Sequence, residues 1–278
     1  MSATLLDIVT TAAILFAVSA GLLIVFGVMK IINFAHGGFL TIGGYAALAV
    51  TKLGWNPWAS LGVAFAVGFV CGSVIERLVM RPLYARPLDA ILATWGLGII
   101  IGQLITLAFG REVQFVQSPI TGAVDAFGQS YSEYRLLLVL AAFLLAAILA
   151  AVMHGTRLGL ATRAVIMNEN LARALGINSA LVRFLTFSFG AALAGLAGAL
   201  ITPLSSVDPN MGVPWLVNAF MLVLVSGVSL VSLALASLVL GAAQVLVSTF
   251  VSPVLGGLTI VVLSAVILRI RSQGFARG

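Results

Sequence analysis

Side chains that could perform chemistry are sparse in this sequence, and one group of them is concentrated near the N-terminus. The group lies inside an otherwise apolar run and combines a cation, an amide, an imidazole and two glycine pairs. Its members are Lys30, Asn33, His36, Gly37, Gly38, Gly43 and Gly44. His154 is the only other histidine, and no carboxylate is clustered with either of the two, so the pattern does not indicate a metal site. The single cysteine, Cys71, permits neither an intrachain disulfide nor a cysteine metal cluster.

The composition decides the environment in which these residues work. Of the 278 residues, 62% are hydrophobic and 8% are charged, whereas a soluble domain carries about 25% charged residues. A water-soluble globule is therefore excluded. Since one membrane-crossing helix takes roughly 20 apolar residues, the length accommodates roughly eight to ten crossings and no separate catalytic or nucleotide-binding domain. The net charge of +6 lies in short loops between apolar runs, which favours contact with a lipid bilayer and not with nucleic acid.

Apolar runs near the length of a membrane-spanning helix follow one another along the whole chain. They cover approximately residues 5–29, 31–50, 58–75, 90–109, 136–153, 184–204, 216–231, 233–250 and 254–268. We therefore predict an all-α, polytopic membrane protein with eight to nine transmembrane helices, built from residues 1–278 as a single transmembrane domain. A membrane β-barrel would instead show alternating segments of about 10 residues.

The positions of the arginines predict how the chain is oriented. Ten of the fourteen cationic residues fall in three segments, which should be cytoplasmic because cytoplasmic loops are enriched in cations. These residues are Arg77, Arg81, Arg86, Arg157, Arg163, Arg173, Arg183, Arg269, Arg271 and Arg277. The segment 110–134 and the turn near Asp208 should face outward. The N-terminus lies outside if all three runs before Arg77 cross the membrane, and inside if the second run is re-entrant or broken.

The group between Lys30 and Gly44 has two interpretations. Polar side chains and irregular backbone are costly at membrane depth, and they occur there where they are buried in protein or line a cavity. We interpret Asn33 to Gly44 as a discontinuous helix start beside a solute pathway, a feature typical of transporters. In the alternative interpretation Asn33 and His36 cap a helix at the water interface, and the glycines permit tight helix packing.

The longest polar cytoplasmic segment, at about 154–183, is predicted to touch another surface. Four residues of this segment recur every four positions and share one face of a short helix. They are Ala164, Asn168, Ala172 and Gly176, and Arg163 lies beside them. Such a face of small residues permits the close approach of a partner. The alternative is an amphipathic connector whose arginines lie at the lipid headgroups.

These segments resemble those of the LivH-type permease subunits of bacterial ATP-binding-cassette importers, which take up branched-chain amino acids, urea or short amides. The matching residues are 32–37, Arg163-Ala164, Gly176-Ile177, 189–191 and 194–198. The resemblance implies a bacterial cytoplasmic (inner) membrane protein that assembles with a second, homologous permease, two cytoplasmic ATPase subunits and an external solute-binding protein. It also implies that the ATPase subunits use ATP and that this chain binds no cofactor. The loop from Arg163 to Gly176 would be the coupling helix that docks on one ATPase.

The resemblance also bears on the pathway and the solute. The residues expected to line the pathway are Asn33, His36, Gly37, Gly38, Gly43, Gly44, Thr94 and Trp95. Three segments are more similar to the urea and amide branch of this family than to its amino-acid branch. They are residues 93–97, 209–212 and 218–220. An interfacial anchor is the alternative role of Trp95.

Two rival functions belong to other classes. A passive channel for small neutral solutes would need its own selectivity filter, and no pair of Asn-Pro-Ala motifs is present in the sequence, where Asn56-Pro57 is followed by Trp58. A membrane-embedded enzyme would need a positioned acid, base or nucleophile, and the sparse candidates Glu76, Asp89 and His154 lie at predicted membrane edges. We therefore expect a transport subunit.

Overall fold

The computed structural model describes residues 2–126 and 129–270, which are almost entirely helical. The helices are α1 (Ser2–Met29), α2 (His36–Lys52), α3 (Ala59–Ile75), α4 (Arg81–Leu83), α5 (Pro87–Phe109), α6 (Glu133–Gly155), α7 (Arg157–Met167), α8 (Glu169–Ala174), α9 (Ser179–Ile201), α10 (Gly212–Ser226), α11 (Leu230–Phe250) and α12 (Pro253–Ile270). A π-helical turn, Glu76–Met80, joins α3 to α4, and a 3-10 turn, Thr202–Leu204, follows α9. Strands β1 (Ala123–Ala126) and β2 (Gln129–Ser132) form an antiparallel hairpin. Of the arginines predicted to be cytoplasmic, Arg271 and Arg277 lie outside the described residues.

Each of the nine predicted apolar runs overlaps one of these helices. Within the described residues, seven helical segments are long and apolar enough to cross a membrane. The other two runs hold α2, with 17 residues, and α10, with 15 residues. Both are shorter than the roughly 20 residues of a full span. The prediction of an all-α, multi-pass membrane protein is confirmed.

Helices α1 and α9 form the centre of the bundle and are mostly buried. Helix α9 can occupy this place because its small residues let neighbouring backbones come close. A side chain at Gly195 would meet the Ala64 carbonyl oxygen of α3 at 2.6 Å, and one at Gly198 would collide with the Leu40 carbonyl of α2. Helices α5, α6, α11 and α12 lie around this centre and expose large apolar side chains, as lipid-facing helices do.

The hairpin and the start of α6 hold the first turns of α1. The hydroxyl oxygens of Tyr131 and Thr10 are hydrogen-bonded at 2.9 Å, and Arg135 pairs with Asp7 at 2.8 Å. The start of α1 therefore lies at the same end of the bundle as the segment 110–134, which the arginine pattern predicts to face outward. With that orientation the start of α1 is also outside, although the second apolar run is broken at residues 30–35.

Candidate functional site

The break between α1 and α2 is the most irregular part of the bundle interior. Helix α1 ends at Met29, and Lys30 adopts a φ of +56°, a left-handed conformation that turns the chain back. Helix α2 begins at His36, whose imidazole lies against the carbonyl of Val18. Because an α-helix rises about 1.5 Å per residue, Val18 lies about 16 Å along the helix axis from the end of α1. The segment 31–35 therefore returns into the bundle without helical structure.

Side chains satisfy the backbone of this non-helical segment. The Ala35 N–H donates to Asn33 Oδ1 at 3.1 Å, and the Phe34 N–H donates to Thr94 Oγ1 of α5 at 3.2 Å. The Thr94 hydroxyl in turn donates to the Ile91 carbonyl at 2.9 Å. Because unpaired backbone groups are costly away from water, these bonds allow irregular backbone at membrane depth. The structure thus brings the predicted site residues Asn33 and Thr94 to the same place.

His36 connects the first two helices. It is 0% exposed, and its Nε2 lies 2.8 Å from the Val18 carbonyl oxygen. Since a carbonyl oxygen only accepts, Nε2 carries the proton and donates it to this bond. The residue was predicted to line a pathway, and the structure instead places its ring in the contact between α2 and α1.

The four glycines of α2 lie in regular helix, so the irregular backbone predicted from Asn33 to Gly44 is confined to residues 30–35. Each glycine faces a different neighbour. A side chain at Gly37 would lie 3.0 Å from the Gly212 carbonyl oxygen of α10, and a side chain at Gly38 would lie 2.9 Å from Ile101 Cδ1 of α5. A side chain at Gly44 would lie 2.7 Å from Met211 Sδ. A side chain at Gly43 would collide with the Gly195 carbonyl of α9. Their absent side chains let α5, α9 and the start of α10 pack around α2, which agrees with the packing interpretation.

A surface edge, which we call the pathway edge, brings together residues from the break, α5 and α10. The rings of Phe34 and Phe220 lie 6.4 Å apart, and a side chain at Gly98 would be 3.5 Å from the Phe34 carbonyl oxygen. A side chain at Gly102 would approach Asn210 at 4.0 Å. The pathway edge comprises Phe34, Gly98, Asn210 and Phe220. Trp95 of α5 is 59% exposed.

One sequence signal for this edge was missed. Thr94, Gly98 and Gly102 recur every four residues, so they form one stripe of α5. That stripe contacts both irregular segments, the break before α2 and the turn before α10. Trp95 is one position away and therefore points to the outer surface of α5.

The segment 154–183 differs from the predicted single helix. Asn168 adopts an extended conformation, with φ −158° and ψ 99°, and divides the segment into α7 and α8. Its side chain caps α8 by accepting the Leu171 N–H at 3.0 Å. Gly176, with a φ of +85°, ends α8 after Leu175. An asparagine at this position favours a helix start over a helix interior, because its side chain bonds the free N–H groups of the next turn.

The small residues of this segment do not form its outer surface. Ala172 is 2% exposed and packs in a cluster with Val28, Val165 and Val182. Ala164 is half-buried beside the same cluster. Arg163, Asn168 and Gly176 are exposed, but the predicted continuous face does not exist. The prediction that a small-residue face is presented to a partner is therefore wrong for Ala172.

Large apolar residues occupy the outer surface instead. Met167 is 86% exposed, Leu171 56% and Leu175 73%. We call these three residues the apolar docking surface. They also recur every four positions, so the sequence contains two adjacent stripes, one small and one large, and its periodicity does not say which of them faces outward. Exposed apolar patches mark contacts with another protein or with a membrane.

Comparison with known proteins identifies the family. The family described as "Branched-chain amino acid transport system / permease component" matches residues 4–270. The chain belongs to this permease family. It is accordingly a transport subunit and not an enzyme, and the expected resemblance to LivH-type permeases is confirmed.

Two curated relatives and one solved structure are similar to this permease. It is 29% identical over 252 residues to the high-affinity branched-chain amino acid transport system permease protein LivH of Salmonella typhimurium, covering 84% of this chain and 82% of the relative. It is 29% identical over 245 residues to the corresponding protein BraD of Pseudomonas aeruginosa, covering 82% and 80%. The structure of PsaBC from Streptococcus pneumoniae in complex with Fab matches with a TM-score of 0.52 and 14% identity over 97% of this chain and 92% of that one, which supports the fold alone.

Proposed function

We propose that this permease forms one half of the translocation pathway of an ATP-driven importer for branched-chain amino acids in a cytoplasmic membrane. A second, homologous permease supplies the other half. Two cytoplasmic ATPase subunits use the ATP, and an external binding protein delivers the solute. The observation that carries this proposal is the apolar docking surface, which lies on the segment that the arginines predict to be cytoplasmic. The names of the relatives support branched-chain amino acids as the solute class.

The docking surface accounts for coupling to the ATPase. Its three large side chains lie within residues 154–183, the segment assigned to coupling, and burial of a leucine side chain stabilises a contact by roughly 1.5–3 kcal/mol. The chain contains no phosphate-binding sequence of the G(x)4GK[ST] type, so ATP hydrolysis belongs to a partner. Asn168 and Gly176 support the surface indirectly, because they begin and end the helix that carries Leu171.

The pathway edge is the part of the surface assigned to solute movement. Phe34 and Phe220 offer an apolar contact that suits a branched aliphatic side chain, and Asn210 offers a polar group nearby. The buried residues Asn33, His36 and Thr94 act on this edge by holding the broken backbone in position. The glycines 37, 38, 43 and 44 act in the same way, because they let the neighbouring helices close around α2.

Docking is tested with a variant that carries Met167→Ser, Leu171→Ser and Leu175→Ser. We expect this variant to remain folded and monodisperse, because these side chains are exposed, but to lose the ATPase during co-purification. Uptake of radiolabelled leucine into proteoliposomes that contain the complete transporter should fall with it. The matched control is Leu53→Ser, a similarly exposed leucine at the outer end of α2. Full retention of the ATPase by the triple variant would refute the docking surface.

The solute class is tested in the same proteoliposomes. Unlabelled isoleucine and valine should compete with labelled leucine, whereas urea and acetamide should not. Competition by urea or acetamide, without competition by valine, would assign the permease to the urea and amide branch. Leucine flux that does not depend on ATP would support the passive channel instead.

A further inference from the structure

Four side chains at the cytoplasmic end form a continuous network between elements that are separate in the sequence. The Tyr84 hydroxyl donates to Glu76 Oε1, and Arg183 Nη2 pairs with Glu169 Oε2. The Arg183 guanidinium lies over the Tyr84 ring, with its central carbon 4.5 Å from the ring centre. Hydrogen bond, cation–π contact and ion pair therefore connect Glu76 to Glu169.

Each of these residues belongs to a different element. Glu76 begins the π-helical turn after α3, Tyr84 follows α4, Arg183 lies in the first turns of α9, and Glu169 begins α8. Helix α8 carries Leu171 of the apolar docking surface, whereas α3 and α9 belong to the membrane bundle. The network is thus a direct connection between the docking surface and the bundle.

The network is less exposed to water than the other ion pairs of the described residues. Glu76 is 1% exposed, and the side chains of Arg183 and Glu169 are mostly covered. By contrast, Arg86 and Asp89 pair at 3.7 Å with side chains that are 75% and 51% exposed. Electrostatic contacts are stronger where water is excluded. Burial and the bond to Glu76 raise the pKa of Tyr84, so its hydroxyl stays protonated and can donate.

The network also has an unused bonding capacity. Within the described residues, Glu76 Oε2 and Arg183 Nε are buried without a hydrogen-bond partner. Arg183 Nε is a donor and Glu76 Oε2 is an acceptor, so a direct pairing of the two residues would satisfy both atoms and would form a second arrangement of the network. Buried polar groups are costly when unpaired, and a network with two alternative pairings can respond to a small movement of one of its elements. The π-helical turn at Glu76 belongs to a class of helix distortion that is frequent at functional sites.

We propose that Glu76, Tyr84, Arg183 and Glu169 are positioning residues that transmit movement of the docked ATPase from α8 to α3 and α9, with Arg183 exchanging Glu169 for Glu76. This inference rests on the proposed function, since it needs an ATPase on the docking surface. The network affects how much solute moves for each ATP hydrolysed. It does not affect whether the ATPase binds, because none of the four residues belongs to the apolar docking surface.

The test measures leucine uptake and phosphate release in the same proteoliposomes of the complete transporter. The variants are Arg183→Gln, which removes the ion pair and the cation–π contact, Glu169→Gln, which removes the ion pair alone, and Tyr84→Phe, which keeps the ring but removes the hydroxyl. The control is Arg86→Gln, which removes an exposed arginine of the same cytoplasmic face. Arg183→Lys keeps the charge without the planar guanidinium.

We expect the amount of leucine taken up per ATP hydrolysed to fall about fivefold or more for Arg183→Gln and Glu169→Gln. A fivefold change is at the lower end of the effects by which two coupled sites typically influence each other. Arg183→Lys should restore part of the ratio, and the ATPase should co-purify with every variant. An unchanged ratio in both Glu169→Gln and Tyr84→Phe overturns the proposal, even if Arg183→Gln does not fold. Loss of the ATPase from these variants also overturns it, because the network would then be part of docking. Failure of the proposed function is distinct, since the unmodified transporter would then show no ATP-dependent leucine uptake.

Discussion

The region around α2 and the region of α7 and α8 both bury small residues, but they differ in which residues they leave exposed. Around α2, Gly43 lies against the backbone of α9, and most residues of the helix are buried. On α8, Ala172 is buried in the same manner, and large apolar side chains are exposed outside the bundle. Small residues therefore hold this permease together in both regions, and large residues are available for partners.

The α2 glycines are positions at which neighbouring helices pack closely. We expect Gly43→Leu to have the largest effect, because any side chain there collides with the Gly195 carbonyl. Overpacking of a tight core costs about 1–3 kcal/mol or more, and here the obstacle is backbone. The yield of monodisperse protein in fluorescence-detected size exclusion should collapse. Gly62→Leu on α3, where a side chain meets nothing within 4 Å, should leave the yield unchanged; equal yields would show that α2 is loosely packed.

The second test concerns the direction in which α8 faces. Ala172→Trp should displace α8 from α1 and α9 and destabilise the cytoplasmic segment by about 1–3 kcal/mol, because Ala172 is buried. The neighbouring variant Leu171→Trp should leave the melting temperature unchanged, because Leu171 is exposed. Thermal unfolding of the purified permease compares the two. A lower melting temperature for Leu171→Trp than for Ala172→Trp would reverse the assignment of the two faces.

The smallest expected effect concerns the break before α2. Thr94→Val keeps the shape of the side chain but removes the acceptor of the Phe34 N–H, which should destabilise the permease by about 1 kcal/mol. Thr94→Ser keeps the hydroxyl and serves as the control. We expect a slightly lower melting temperature and reduced leucine uptake for Thr94→Val only. Identical behaviour of the two variants would mean that the hydroxyl does not hold the broken segment.

Part of the candidate site could be predicted from the sequence because it depends on local chemistry. A polar group with paired glycines in an apolar run indicated the broken segment, and the side chains of Asn33 and Thr94 both accept hydrogen bonds from its backbone. The break lies at residues 30–35 and not across the predicted range from Asn33 to Gly44. Lys30 turns the chain, and the glycines remain helical because neighbouring helices pack on them. The docking surface was missed, because Met167, Leu171 and Leu175 have the same period as the small residues beside them.

The sequence by itself determined that this is a multi-pass membrane protein, where its helices lie and which family it belongs to, because composition, run length and motifs are properties of the chain alone. Only the tertiary structure decided which stripe of each helix faces inward, that the first turns of α1 lie beside the β1–β2 hairpin, and that Glu76, Tyr84, Arg183 and Glu169 meet. Helical period says which residues share a face. In a bilayer both faces of a helix can be apolar, so hydrophobicity does not distinguish the lipid side from the protein side. That distinction comes from contacts with helices distant in the sequence, such as the one between Gly43 and Gly195.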